Sequence, residues 1–171
     1  MSSPHTTEPL ETVLRSATKE VVLGHGRRFC IIGERINPTG RRIFQEQLRA
    51  GDMSAIERDV KAQVEGGADV LDVNMGVPLT DEPELLAKAI QLMQSLTDLP
   101  ICIDSSVVEA LEAGLSVYQG RALVNSITAE DDLRAGAAQG GLEQLAHALT
   151  RARFFLSRSL ARLTVADASG A

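Results

Sequence analysis

Ile101-Cys102-Ile103-Asp104-Ser105-Ser106 is a short apolar run that stops abruptly at a carboxylate, and Leu123-Val124-Asn125-Ser126 repeats the pattern with an amide. Between them lies one helix-length segment with a start signal of its own, Ser106-x-x-Glu109. A buried strand, a helix and a second buried strand make up the unit of a parallel α/β sheet. Such sheets deliver polar groups to the carboxyl ends of their strands, where ligands bind. Asp104 and Asn125 are therefore expected side by side at that end.

The pattern recurs upstream. Val70-Leu71-Asp72-Val73-Asn74-Met75 reads as another strand, and Phe29-Cys30-Ile31-Ile32-Gly33 as the first buried one. The latter runs into Glu34-Arg35-Ile36-Asn37-Pro38-Thr39-Gly40, a charged, turn-rich loop. Ile43, Phe44, Gln47 and Leu48 suggest a short helix. Asp52 and Ser54-x-x-Glu57 open the next one, with Ile56, Val60 and Val64 on one face and Gly66-Gly67 at its close. Thr80 or Asp81 caps a third, with Pro83 in its first turn, where a missing N–H costs nothing. Leu86, Ile90, Met93 and Leu96 form its stripe, and Val108, Leu111 and Leu115 that of a fourth. Four strand–helix steps predict a parallel sheet with right-handed crossovers. Periodicity leaves open whether it closes.

The two ends read differently. Leu10, Val13, Leu14, Ala17 and Val21 recur at helical spacing, which predicts a helix over 8–23 and a helical extension over 1–27. Its expected place is the bottom of a barrel. After Asp132 the chain turns rich in Ala, Gly, Arg and Leu, with no fifth strand signal. Leu142, Leu145, Leu149, Leu156, Leu160 and Leu163 predict a long amphipathic helix, so 133–171 is expected to be a divergent, mostly helical tail.

Composition narrows the class. The chain has 171 residues, 44% hydrophobic, 23% charged and net −6, against ~250 residues for a full eight-unit barrel. The acidic balance and the lack of a Lys/Arg block argue against nucleic acid. No apolar run approaches the ~20 residues of a membrane span, and no signal-peptide core is present, so a cytoplasmic location is expected. Cys30 and Cys102 each fall in a predicted strand and read as reduced, buried thiols. His5, His25 and His147 are scattered, so no metal site is assigned.

The strand-end residues suit one chemistry. A pterin or guanine-like ring presents an N3–H and a 2-amino group on one edge, and an ionised Asp accepts both. A neighbouring Asn both donates and accepts with one amide. From spacing alone two readings stand open: Asp104 and Asn125 meet one flat heterocycle, or Asp104 caps a helix and Asn125 ends a strand. Glu34 and Arg35 read first as a pair bracing their loop, and Asn37 before Pro38 as a turn former. Asp72 and Asn74 alternate with Val73 and share one face of the sheet. In a barrel that face is the lumen near its mouth, where buried polar groups need a partner.

Gly33-Glu34-Arg35-Ile36-Asn37-Pro38-Thr39-Gly40, Asp72-Val73-Asn74-Met75, Ile103-Asp104-Ser105-Ser106 and Val124-Asn125-Ser126-Ile127 occur in the order seen in pterin-binding methyltransferases. The chain closely resembles the methyltetrahydrofolate-binding domain of cobalamin-dependent methionine synthase and the methyltetrahydrofolate–corrinoid methyltransferases over roughly 28–132. Dihydropteroate synthase is a more distant relative with the same barrel. The resemblance implies a partial (β/α)₈ barrel of the dihydropteroate-synthase-like type, about four βα units with a C-terminal amphipathic helix. It implies a pterin over the carboxyl-terminal mouth, Asp104 on its amino edge, Asn125 on a second edge and Asn37 lining the pocket.

The candidate pterin-binding set is thus Glu34, Asn37, Asp72, Asn74, Asp104 and Asn125, with Asn125 the single candidate for a catalytic part. The implied reaction moves the N5-methyl of methyltetrahydrofolate to cobalt(I) of a cobalamin or other corrinoid on a partner protein. N5 must gain a proton or strong hydrogen bond as the methyl leaves. The family supplies that group from later strands, so a truncated or frame-disrupted product with impaired catalysis is the expectation, and a homodimer an option. The alternatives are a dihydropteroate synthase-like enzyme and a non-catalytic pterin-binding or inert fragment.

Overall fold

A computed structural model describes residues 11–125 and the backbone of 155–156. In chain order the elements are β1 (Glu11–Arg15), β2 (Glu20–Gly24), β3 (Ile32–Ile36), α1 (Arg42–Arg49), α2 (Ser54–Glu65), β4 (Val70–Asn74), α3 (Glu82–Leu96), β5 (Ile101–Asp104), α4 (Val108–Val117), β6 (Leu123–Asn125) and β7 (Phe155–Leu156). Strands β3 to β7 form one parallel sheet in sequence order, with β3 at one edge. This is the parallel sheet that the strand–helix alternation predicts, and the partial (β/α) barrel that the resemblance implies.

The sheet separates two kinds of surface. Leu71, Val73, Ile101, Ile103 and Val124 face the helices and pack with Ile56, Val60, Leu86, Ile90, Met93 and Leu111 in the main core. Val70, Cys102 and Leu123 face the other way and meet Leu14, Val21, Leu23 and Cys30 in a second cluster. That second face is the lumen side. Gly114 lets α4 close on α3 and the sheet, since a Cβ there would lie 2.8 Å from Ile90 Cδ1 and 3.3 Å from Ile103 Cγ2.

The predicted N-terminal helix is instead an antiparallel hairpin, β1 paired with β2. Thr12-Val13-Leu14 and Val21-Val22-Leu23 are β-branched-rich, and the Ser16 hydroxyl closes the turn by accepting from Thr18 N (3.2 Å) and Lys19 N (2.9 Å). The hairpin is also held by strand-type bonds between Arg15 and Arg121, N to O at 3.0 and 2.7 Å. Gly120, at φ +144°, permits this approach, because a Cβ would sit 2.1 Å from the Arg15 carbonyl oxygen. Helical spacing of apolar residues lost to pairing with the sheet's lower rim. The hairpin nonetheless occupies the bottom position expected of the helix.

The first parallel strand begins three residues later than predicted. The Asp69 carboxylate takes two bonds from Arg28 and one from Ile31 N (3.0 Å), which commits residues 28–31 to an anchor rather than a ladder. The sheet edge at β3 is not sealed: Ile32, which opens the strand, is 38% exposed, and Phe29 and Ile31 in the anchor segment before it are 86% and 46% exposed. Leu96 and Val108, predicted to face inward, are partly exposed as well.

Two capping signatures act through neighbouring residues. Asp52 Oδ1 accepts from Ser54 N (2.9 Å), and Ser105 Oγ accepts from Val107 N (3.0 Å), while α2 and α4 carry no side-chain N-cap bond. Asp81 does cap α3, accepting from Glu84 N at 3.0 Å.

The predicted tail helix over 142–163 lies outside the described residues except at Phe155–Leu156. There the backbone pairs in parallel with Leu123 and Val124, so a fifth strand exists where none was expected. The open edge of β6 offers unpaired N–H and C=O groups that a short apolar segment satisfies. Among the described residues no helix is long and apolar enough to cross a membrane.

Candidate binding site at the strand ends

The parallel register places Asn74, Asp104 and Asn125 in one row across β4, β5 and β6. One level below lie Asp72, Cys102 and Leu123. Because side chains alternate along each strand, both rows face the lumen. The row at the mouth is polar, the next mixed, and the level of Val70 apolar against the hairpin.

Asp104 does not cap a helix. Its Oδ2 accepts from Asn74 Nδ2 at 3.1 Å, whereas α4 starts at Val108 without it. Asn74 is itself fixed, since its Oδ1 accepts from Gly76 N at 2.9 Å. Burial pushes the Asp104 carboxyl above its ordinary range, the Asn74 bond opposes this, and the charges of Glu34 and Glu82 add to the rise.

Asp72 is 4% exposed. Burial pushes its carboxyl up to about 6, against hydrogen bonds from the Cys102 thiol and the Asn125 amide, with the charges of Asp104 and Glu34 raising it further. The Cys102 thiol is driven up in turn by burial and by these carboxylates, which leaves it protonated and poorly nucleophilic. No Lys or Arg is ion-paired to Asp72, Asp104, Glu34 or Glu82 among the described residues. Two neighbouring acids in a half-buried mouth, without a paired cation, form a receptor for hydrogen-bond donors.

The remaining predicted residues lie at the rim. Glu34 is exposed and reaches the row through its charge alone. It forms no ion pair with Arg35; the loop is braced instead by Arg41, which donates to the Arg35 carbonyl and pairs with Asp59 at 2.7 Å. Asn37 is half-buried and its Oδ1 accepts from Thr39 N at 2.9 Å, which is the turn-forming role. Among the described residues no His/Cys/Asp/Glu group has the arrangement of a metal site.

Ser105 and Glu82 were not anticipated. Buried Ser105 donates to the Glu82 carboxylate, and its backbone N–H donates to the Asn125 carbonyl (2.9 Å). It thereby ties α3, β5 and β6 together directly behind the row. The adjacent pair Ser105-Ser106 was the visible signal, but only the strand register tells which serine turns inward.

A half-barrel with a polar lumen mouth, its acids unpaired by any cation among the described residues, defines a class of small-molecule binding α/β proteins. Residues 33–148 match the family described as pterin binding enzyme, which is more than half of the chain, and the chain belongs to that family. The match runs past Asp132 into a stretch expected to be divergent; that Ala/Gly-rich segment carries no compact motif by which to recognise it. Similar solved structures are dihydropteroate synthases. That of Thermus thermophilus is 19% identical over 85% of this chain and 47% of its own, with TM-score 0.55. That of Vibrio fischeri is 18% identical over 85% and 49%, with TM-score 0.52. That of Xanthomonas albilineans, in complex with indole-2-carboxylic acid and 6-chloroguanine, is 20% identical over 79% and 45%, with TM-score 0.50. At these identities the likeness is one of fold, and the chain spans about half the length of each.

Proposed function

We propose that this chain is the pterin-binding part of a methyltransferase that moves the N5-methyl of methyltetrahydrofolate to a corrinoid on a partner protein in the cytoplasm. The observation that carries the pterin reading is the aligned row Asn74–Asp104–Asn125 above a buried Asp72. Asp104 accepts from the ring's N3–H and 2-amino group, and the exposed Asn125 amide meets an adjacent ring edge. With no cation paired to it among the described residues, the Asp104 carboxylate stays available to neutral donors.

The Gly33–Gly40 segment, the end of β3 and the turn after it, and the Asp72-Val73-Asn74-Met75 stretch favour the methyltransferase branch, through their resemblance to its motifs. A corrinoid, when bound by the partner, supplies the cobalt(I) nucleophile; no residue of this chain is assigned to it. The C–N5 bond breaks with its electron pair returning to N5, which must then be protonated. None of the described residues is assigned that proton, and catalysis by this chain alone is expected to be negligible.

The fold likeness to dihydropteroate synthases favours a second reading, in which the same row holds a dihydropterin bearing a diphosphate leaving group. Isothermal titration of the full chain separates the two. Preferential binding of methyltetrahydrofolate supports the methyltransferase reading, and preferential binding of the dihydropterin diphosphate supports the second. No binding of either, or binding unchanged by Asp104→Ala and Asn125→Ala, overturns the pocket.

A further inference from the structure

We infer that Asn74 is a positioning residue, which holds Asp104 in its ligand-accepting rotamer and keeps it ionised, rather than a ligand contact of its own. This rests on the proposal that Asp104 binds the pterin's donor edge. Three observations converge on it. Asn74 and Asp104 are register partners on adjacent parallel strands, so their side chains rise from the same level of the lumen face. The Asn74 amide has one orientation, because a backbone donor, Gly76 N–H, lies 2.9 Å from its oxygen and only a carbonyl oxygen can accept it. The NH₂ end is then directed at Asp104 Oδ2, 3.1 Å away. Both ends of the amide are thus engaged before any ligand arrives.

The position after Met75 suits this latch. A Cβ on Gly76 would lie 3.3 Å from Asn74 Oδ1 and 3.7 Å from Glu82 Oε2, so a glycine leaves room for the amide to seat on the backbone. A carboxylate has about four lone-pair sites, and one bond from Asn74 leaves the rest for the two donors of a pterin edge. Without it the Asp104 side chain would be free to turn about its χ angles within a half-buried mouth.

The surroundings of Asp104 make the donor necessary. Among the described residues, Glu34 on β3, Asp72 on β4, Cys102 on β5 and Glu82 on α3 are the titratable groups around it, and none is cationic. Burial and the charges of Glu34 and Glu82 favour the protonated form, and the Asn74 N–H favours the ionised one. A protonated Asp104 cannot accept from two donors at once, so pterin affinity should fall as pH drops through its pKa. Removing the Asn74 donor raises that pKa and moves the loss to higher pH.

The test is calorimetric titration of methyltetrahydrofolate into the full chain from pH 4 to 8.5. Asn74→Ala should move the midpoint of the acid loss up by about one pH unit, weakening binding about twofold at the new midpoint and close to tenfold below the parent's own midpoint. Affinity near pH 8.5 should return to within about threefold of the parent, as expected when one neutral donor is lost from an ionised acceptor. Asn74→Asp keeps the shape but sets a second carboxylate against the first, so it should shift the midpoint further than alanine does. An unchanged midpoint in both variants, or a uniform weakening at every pH, overturns the positioning role while leaving the pocket in place. If Asp104→Ala binds like the parent, the pocket itself fails and this inference with it.

Discussion

Asp69, just before β4, and Asp72, at its centre, resolve the cost of burial in opposite ways. At the bottom, Asp69 accepts two bonds from Arg28 and one from Ile31 N, and these bonds hold its carboxyl below its ordinary range. One level below the mouth, buried Asp72 has a thiol and an amide for hydrogen-bond partners and is pushed up to about 6. The hairpin end is closed and satisfied: Tyr118 OH donates to the Arg15 carbonyl at 2.7 Å and accepts from Ile101 N at 3.2 Å. The mouth keeps acids crowded and acceptor capacity unspent. The anchoring bonds lie at the bottom of the sheet, and the acceptors with capacity to spare lie towards its top.

The contrast breaks first at Asp104. Asp104→Ala should weaken methyltetrahydrofolate binding at least about a hundredfold, roughly 2.7 kcal/mol, because a charged acceptor with two donors is removed. Its melting temperature should barely change, and calorimetry beside a thermal melt checks both. Asp69→Ala should do the reverse. Loss of a charge-assisted anchor and an orphaned Ile31 N–H should cost about 2–3 kcal/mol in urea unfolding. The Asp69 contribution is present above its unfolded pKa near 3.8 and disappears as pH falls through the depressed folded value.

Asp72 sharpens the comparison because its sign is opposite. Its folded pKa is about 6 against an ordinary value of 3.8, so the folded state binds more protons between those pH values. Stability falls across that window as the carboxyl ionises, and the cost persists above it. Asp72→Asn should therefore stabilise the chain at pH 7 by on the order of 2 kcal/mol, with the gain vanishing below about pH 4. Urea melts at pH 7 and pH 4 report it, and an equal gain at both would show that burial of the charge is not the cause. The smallest effect is Tyr118→Phe, which removes the hydroxyl bridge from hairpin to β5 and should cost about 1 kcal/mol, with pterin affinity untouched.

Much of the upper region was legible because strands advertise themselves locally. Apolar runs ending in Asp104, Asn125 and Asn74 placed three strand ends, and alternation put Asp72 and Asn74 on one face. Asn37 and Glu34 were grouped with them through motif order, yet one forms a turn and the other acts only through its charge. The lower region was read less well. Leu10, Val13, Leu14, Ala17 and Val21 satisfy a helical spacing, while the hairpin they help build depends on Arg121, far along the chain. Phe29 and Ile31 looked buried because their composition suits a central strand, and only the strand order shows β3 at an edge.

By itself the amino-acid sequence determined the alternation of strands and helices, the polar residues that end β4, β5 and β6, and membership of the pterin-binding family. These depend on local periodicity and on motifs a few residues long. The tertiary structure decided which of those polar groups share a level, which are buried, and which partner each one finds. Register and burial are set by packing between distant segments. The Asn74–Asp104 bond, the Ser105–Glu82 link and the opposite fates of Asp69 and Asp72 all arise there.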